Sequence, residues 1–133
     1  MHIDFAFICD YAEVGSKINA LGIGFDRLEP PEVPYVHPLF HLVVQLRANV
    51  TEAGKKTLKV TLIDADGNEL MQPHEGELSV PKPKGGTEAR GRMNVVLRNI
   101  RFPHYGAYSL HVVVDGHEMY EATLNIVKPS APA

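Results

Sequence analysis

The sequence predicts an all-β chain, folded as two antiparallel sheets packed into a Greek-key sandwich of roughly seven or eight strands. Three observations predict it. Apolar residues recur with period two in segment after segment, as in Phe40, Leu42, Val44 and Leu46, while no window of helical length carries a sustained 3.6-residue stripe. Gly, Pro and Asp-Gly signals separate these segments; Asp66-Gly67 and Asp115-Gly116 suit tight hairpins because Gly accepts positive φ. Finally, Gly106-Ala-Tyr108-Ser-Leu110 has the spacing of a tyrosine corner, in which a Tyr entering a strand bonds back to the preceding connection. That motif makes the expected sandwich immunoglobulin-like, with Leu110 where bridged members hold Cys.

Each element follows from its pattern. The first strand is expected to carry Ile3, Phe5, Phe7 and Cys9 on one inward face. A second, about Lys17 to Leu28, places Leu21, Ile23 and Phe25 on one face, with Gly22 and Gly24 opposite marking a bulge or a close backbone approach. Glu29 to Pro38 holds too many prolines for an interior strand and is expected to cross the surface in extended form. Strand three, about Phe40 to Arg47, turns His41, Val43, Gln45 and Arg47 outward. Leu58 to Asp64, Leu78 to Val80 and Arg90 to Leu97 supply further strands. Strand seven follows the tyrosine corner, with Tyr108, Leu110, Val112 and Val114 inward and Ser109, His111 and Val113 outward. The last strand turns Tyr120, Ala122, Leu124 and Ile126 inward.

At 133 residues the chain is expected to be one domain over residues 1–127, with 128–133 a frayed tail. A single cysteine, Cys9, has no partner for an internal disulfide, which argues for a reducing, cytoplasmic location. No basic, apolar leader opens the chain, and its apolar runs fall far short of the roughly 20 residues of a membrane helix. The net charge of −3 leaves no basic footprint for nucleic acid. Neither a membrane nor a nucleic acid is therefore an expected partner.

Sequence motifs for chemistry fail on spacing. Asp64-x-Asp66-x-Asn68 has the alternating oxygens of a calcium loop, but Glu69 stands where that loop needs Gly, so a hairpin turn is the expectation. His37 and His41 are four apart with Pro38 between them, and Cys9 among aromatic residues is expected to be a buried, inert thiol. Pro83-Lys84-Gly85-Gly86-Thr87 has the wrong order for a phosphate loop. No serine sits in a nucleophile elbow. No catalytic residue, metal ligand or cofactor is expected. The constellation left over is Arg92, Val96 and Arg98 on strand six with His111 and Val113 on strand seven, a candidate interaction or anion-binding surface.

Three stretches carry a family resemblance: Met1-His-Ile-Asp-Phe-Ala-Phe-Ile-Cys-Asp10-Tyr-Ala12, Lys17-Ile-Asn-Ala-Leu-Gly-Ile-Gly-Phe-Asp26, and Arg101-Phe-Pro-His-Tyr-Gly-Ala-Tyr108 with the following Val-Val-Val-Asp-Gly. In these the chain resembles an uncharacterised bacterial family, a domain of unknown function, which implies no catalytic residues. The expected function is a non-enzymatic cytoplasmic protein–protein interaction or scaffold module, binding a protein partner or a second copy of itself. The alternative is a small-ligand or anion-binding sandwich, and a weaker one an enzyme whose site is built from loops.

Overall fold

Alternation in the sequence becomes ten strands among the described residues. The computed structural model describes residues 1–82, 85–86 and 88–130. In chain order the strands are β1 (His2–Cys9), β2 (Tyr11–Val14), β3 (Ile18–Leu21), β4 (Arg27–Leu28), β5 (Tyr35–Asn49), β6 (Gly54–Ile63), β7 (His74–Val80), β8 (Glu88–Phe102), β9 (Gly106–Val114) and β10 (His117–Ile126). One sheet has the order β1-β5-β8, the other β4-β10-β9-β6-β7, and β2 and β3 form a separate hairpin. Among the described residues all strand pairings are antiparallel except that of β4 with β10. Among the described residues no helix is long and apolar enough to cross a membrane.

The two larger sheets form an all-β sandwich around one core. Phe40, Leu42, Val44 and Leu46 of β5 and Val95 and Leu97 of β8 face Leu58, Val60 and Leu62 of β6, Tyr108 to Val114 in alternation on β9, and Leu124 and Ile126 of β10. Each large side chain so buried contributes about 1.5 to 3 kcal/mol. Tyr108 seals one end. Its hydroxyl donates to the His104 carbonyl at 2.6 Å and accepts from the His104 amide at 3.3 Å, while its ring stands edge-on to Phe102 at 5.0 Å. The anchor, His104, lies just past the Leu97 to Pro103 connection that the sequence pattern predicts, because β8 runs on through Phe102.

Four local expectations are corrected. First, β1 does not alternate evenly: a register shift between Ile3 and Phe5 makes Asp4 an extra residue. An extra residue inverts the phase of everything after it. Ile3, Ala6 and Ile8 therefore pack into the sandwich, while Cys9 belongs to a second cluster on the other face and Phe7 packs against it. Second, the expected strand from Lys17 to Leu28 is broken by a turn. Gly22 has φ +67°, and a Cβ there would lie 2.1 Å from the Asp10 carboxylate, a close approach to a side chain, whereas Gly24 makes the expected close backbone approach, its amide meeting the Ile8 carbonyl at 2.8 Å. Third, the proline-rich stretch joins β5 from Tyr35 onward. At Pro38 the strand has β8 on one side only, since β1 pairs with His41 to Arg47, and a proline there interrupts no inner ladder. Fourth, the outward face of β5 is not exposed: His41, Val43 and Gln45 are buried.

The turn after β6 is held by Asp64. Its Oδ1 accepts from the amides of Asp66 and Asn68 at 2.9 and 2.8 Å, and its Oδ2 from Asn68 Nδ2 at 3.2 Å. Both carboxylate oxygens thus serve the hairpin. Pro83, Lys84 and Thr87 of the phosphate-loop-like segment, and the tail residues Ala131 to Ala133, lie outside the described residues.

Two outcomes follow. Tyr108→Phe loses a partly desolvated hydrogen bond, and urea unfolding is expected to show a loss of about 1 kcal/mol or somewhat more. The Asn68 amide, with the other donors, holds the Asp64 carboxyl below its usual range. A lowered carboxyl stabilises the fold fully above its unfolded value of about 4, and that contribution is lost as pH falls through the lower folded value. Asp64→Asn is therefore expected to lower the melting temperature at neutral pH and to flatten its decline in acid.

Candidate functional site

The extra residue in β1 organises the outer face of the three-stranded sheet. Asp4 accepts from Gln45 Nε2 at 2.7 Å and pairs with Arg47 Nη2 at 2.6 Å, with Arg90 Nε at 3.8 Å. The Gln45 hydrogen bond, followed by the charges of Arg47 and Arg90, holds its carboxyl below the usual range. Gln45 Oε1 in turn accepts from Arg92 Nε at 2.7 Å. Arg92 Nη1 then donates to the carbonyls of Gly15 and Ser16, at 3.2 and 3.0 Å, in the turn between β2 and β3. A relay of charge-assisted bonds thus runs from β1 across the sheet to the tip of the hairpin.

A second fastener lies beside it. Asn94 Nδ2 donates to the Ala12 carbonyl at 3.0 Å, and its Oδ1 accepts from His41 Nδ1 at 2.9 Å. The Tyr11 and His41 rings form a T-shaped pair with centroids 5.2 Å apart. The hairpin is held over β5 and β8, and Ala12, Val14, Ile18 and Ala20 close over Cys9 and Val43. Burial pushes the Cys9 thiol above its ordinary pKa, as expected of an inert residue.

The hairpin leaves a groove between itself and β1. Phe5 and Phe7 stack at 6.0 Å between ring centroids, and with Tyr11, Leu21 and Ile23 they line a space of about 690 Å³. Leu21 is 69% exposed, Ile23 59%, Tyr11 45% and Phe5 37%, which makes this the main concentration of large exposed apolar groups among the described residues. Beside it runs a free sheet edge. β1 pairs with β5 on one side, and on the other the amide of Gly24 reaches the Ile8 carbonyl at 2.8 Å, while Ile3 to Phe7 have no strand partner there among the described residues.

The surface expected from sequence does not come together. Arg92, Val96 and Arg98 lie on β8 in the three-stranded sheet, whereas His111 and Val113 lie on β9 in the five-stranded sheet. The outward faces of these sheets point away from each other across the core. The Arg92 guanidinium is engaged by Gln45 and the hairpin, Val96 pairs with His41, and Arg98 is exposed opposite Leu39. His111 meets Glu118 of β10 through Nδ1, and its Nε2 is buried with no partner among the described residues. Val113 is half-buried next to Lys59 of β6. The groove residues escaped the sequence reading because even alternation assigns Phe5 to the core and runs Leu21 and Ile23 together into one continuous strand, whereas β3 ends at Leu21. One signal was available: Leu21-Gly-Ile23-Gly sets large apolar residues among the glycines of a turn.

The model of a family of unknown function, DUF6941, matches residues 4–127. The chain belongs to that family. No curated protein matches it. Among solved structures it is similar to the Pseudomonas fluorescens alkylpurine DNA glycosylase AlkC bound to DNA containing an abasic site analog, at 15% identity and a TM-score of 0.44. The match covers 91% of this chain but 30% of that one, and a likeness of this degree carries no functional argument.

If Arg92 fastens the hairpin, Arg92→Ala is expected to speed amide hydrogen exchange across residues 11–21 while the strands of the sandwich core keep their protection. Unchanged exchange in the hairpin would show that the apolar cover alone holds it down.

Proposed function

We propose that this member of the family is a non-enzymatic protein-interaction module with an immunoglobulin-like sandwich, docking an extended apolar strand along β1. The immunoglobulin-like reading is supported by the order β1-β5-β8 against β10-β9-β6-β7, the crossings between sheets, and the tyrosine corner at Tyr108. The observation that carries the docking reading is the coincidence of an unpaired strand edge with exposed Phe5, Leu21 and Ile23. Strand addition uses both: backbone hydrogen bonds along the edge supply affinity, and pockets for alternate side chains supply selectivity. Edges left free are ordinarily guarded by Lys, Pro or a bulge; beyond the bulge at Asp4, the free stretch from Phe5 to Phe7 carries no such guard.

A second copy of the chain is the occupant whose chemistry fits directly. Antiparallel pairing of β1 with its own copy about a two-fold axis continues each three-stranded sheet into the other, and the apolar residues of each groove meet those of its partner. A buried, unpaired Cys9 supports a reducing, cytoplasmic setting. Anion binding has less support, because Arg92 is already engaged and His111 faces the other way.

Sedimentation equilibrium from micromolar to hundreds of micromolar tests the reading. The wild type is expected to be a dimer and Leu21→Asp/Ile23→Asp a monomer, with unchanged circular dichroism because both positions are exposed. A monomer throughout, or a dimer equally tight in the double variant, would overturn it.

A further inference from the structure

We propose that His111, Glu118 and Glu121 form a binding site for a divalent transition-metal ion, zinc or one of similar preference, on the outer face of the five-stranded sheet. The site is separate from the β1 groove and its test does not depend on that reading. One donor atom from each residue lies within 4.8 Å of the others. The arrangement has a specific origin in the backbone. Glu121 is the direct cross-strand partner of His111, so their side chains stand side by side. Glu118 is three residues from Glu121, and on an even strand the two would point to opposite faces. A register shift between Glu118 and Tyr120 makes Met119 an extra residue and turns both carboxylates to the outer face with the imidazole.

The chemistry of this donor set is selective. One imidazole nitrogen with two carboxylates suits zinc, manganese or iron(II), whereas calcium and magnesium prefer oxygen alone. The two carboxylates balance the charge of a divalent ion. Donors to one zinc ion stand about 3 Å apart, given bonds of about 2 Å, so the side chains must draw together slightly. Glu118 is 55% exposed and free to do so, while the half-buried imidazole, 19% exposed, provides the fixed point. Nδ1 of His111 already faces a Glu118 oxygen, where an ion takes the place of the shared proton. Ligation through Nδ1 uses that nitrogen's lone pair and places the ring proton on Nε2, which has no hydrogen-bond partner among the described residues. Coordination positions not filled by protein open to solvent across the exposed sheet face.

The competing account is a plain imidazolium–carboxylate pair beside a second glutamate. Calorimetric titration of the full chain, without an affinity tag, separates the two. Zinc is expected to bind at one equivalent and calcium not to bind, and cobalt(II) to give visible absorption bands of a low-coordination nitrogen–oxygen site. Glu118→Gln and Glu121→Gln each are expected to weaken zinc at least about tenfold, with the metal-free melting temperature little changed. Absence of zinc binding up to hundreds of micromolar, equal affinity for calcium, or zinc affinity unaltered in both variants would each overturn the proposal.

Discussion

An extra residue in the first strand sets the direction of everything around it. Had β1 alternated evenly, Phe5, Phe7 and Cys9 would have shared the sandwich interior with Ile3. The shift at Asp4 instead sends Ile3, Ala6 and Ile8 inward and leaves the aromatic residues on the outer face. A bulge leaves a residue out of the ladder, so it persists where something else holds that residue. Here Gln45 and Arg47 do so, each reaching the Asp4 carboxylate. Asp4, the one carboxylate in a mostly apolar strand, acts as the pin of its register.

An apolar outer face then needs a cover, and the chain supplies it at once. The β2–β3 hairpin follows β1 directly and folds back over β5 and β8, which is why β5 is buried on both faces along Phe40 to Leu46. Polar groups beneath such a cover must find partners, since an unmade hydrogen bond there costs about 1 to 3 kcal/mol. Gln45 meets that demand through Asp4 and Arg92, and Asn94 through His41 Nδ1 and the Ala12 carbonyl, while His41 Nε2 is left without a partner among the described residues. The cover is shorter than the face it protects. What remains outside it, from Phe5 to Ile23, is the groove.

The same device recurs at the opposite end of the chain. An extra residue at Met119 brings Glu118 and Glu121 to one face of β10, beside His111. Both functional proposals therefore rest on places where the period of two is broken. This explains why neither groove nor donor cluster was legible in the sequence: a reading built on alternation assigns Phe5 inward and separates Glu118 from Glu121. Arg92 escaped for a related reason. Its outward position was read correctly, but its engagement depends on carbonyls of Gly15 and Ser16, far away in sequence.

The sequence by itself determined the all-β class, the inward sets of β6, β8 and β9, the hairpin at Asp64 to Asn68 and the role of Tyr108. These depend on local periodicity, on turn chemistry and on a side chain bonding four residues away. Tertiary structure alone decided which strands share a sheet, and so separated Arg92, Val96 and Arg98 from His111 and Val113. It also decided that β2 and β3 leave the sandwich to cover it, and where the two extra residues fall. Sheet membership and register arise from pairing between segments distant in the chain, and one displaced residue reverses a whole face. A pattern with period two carries no record of which strand it will meet.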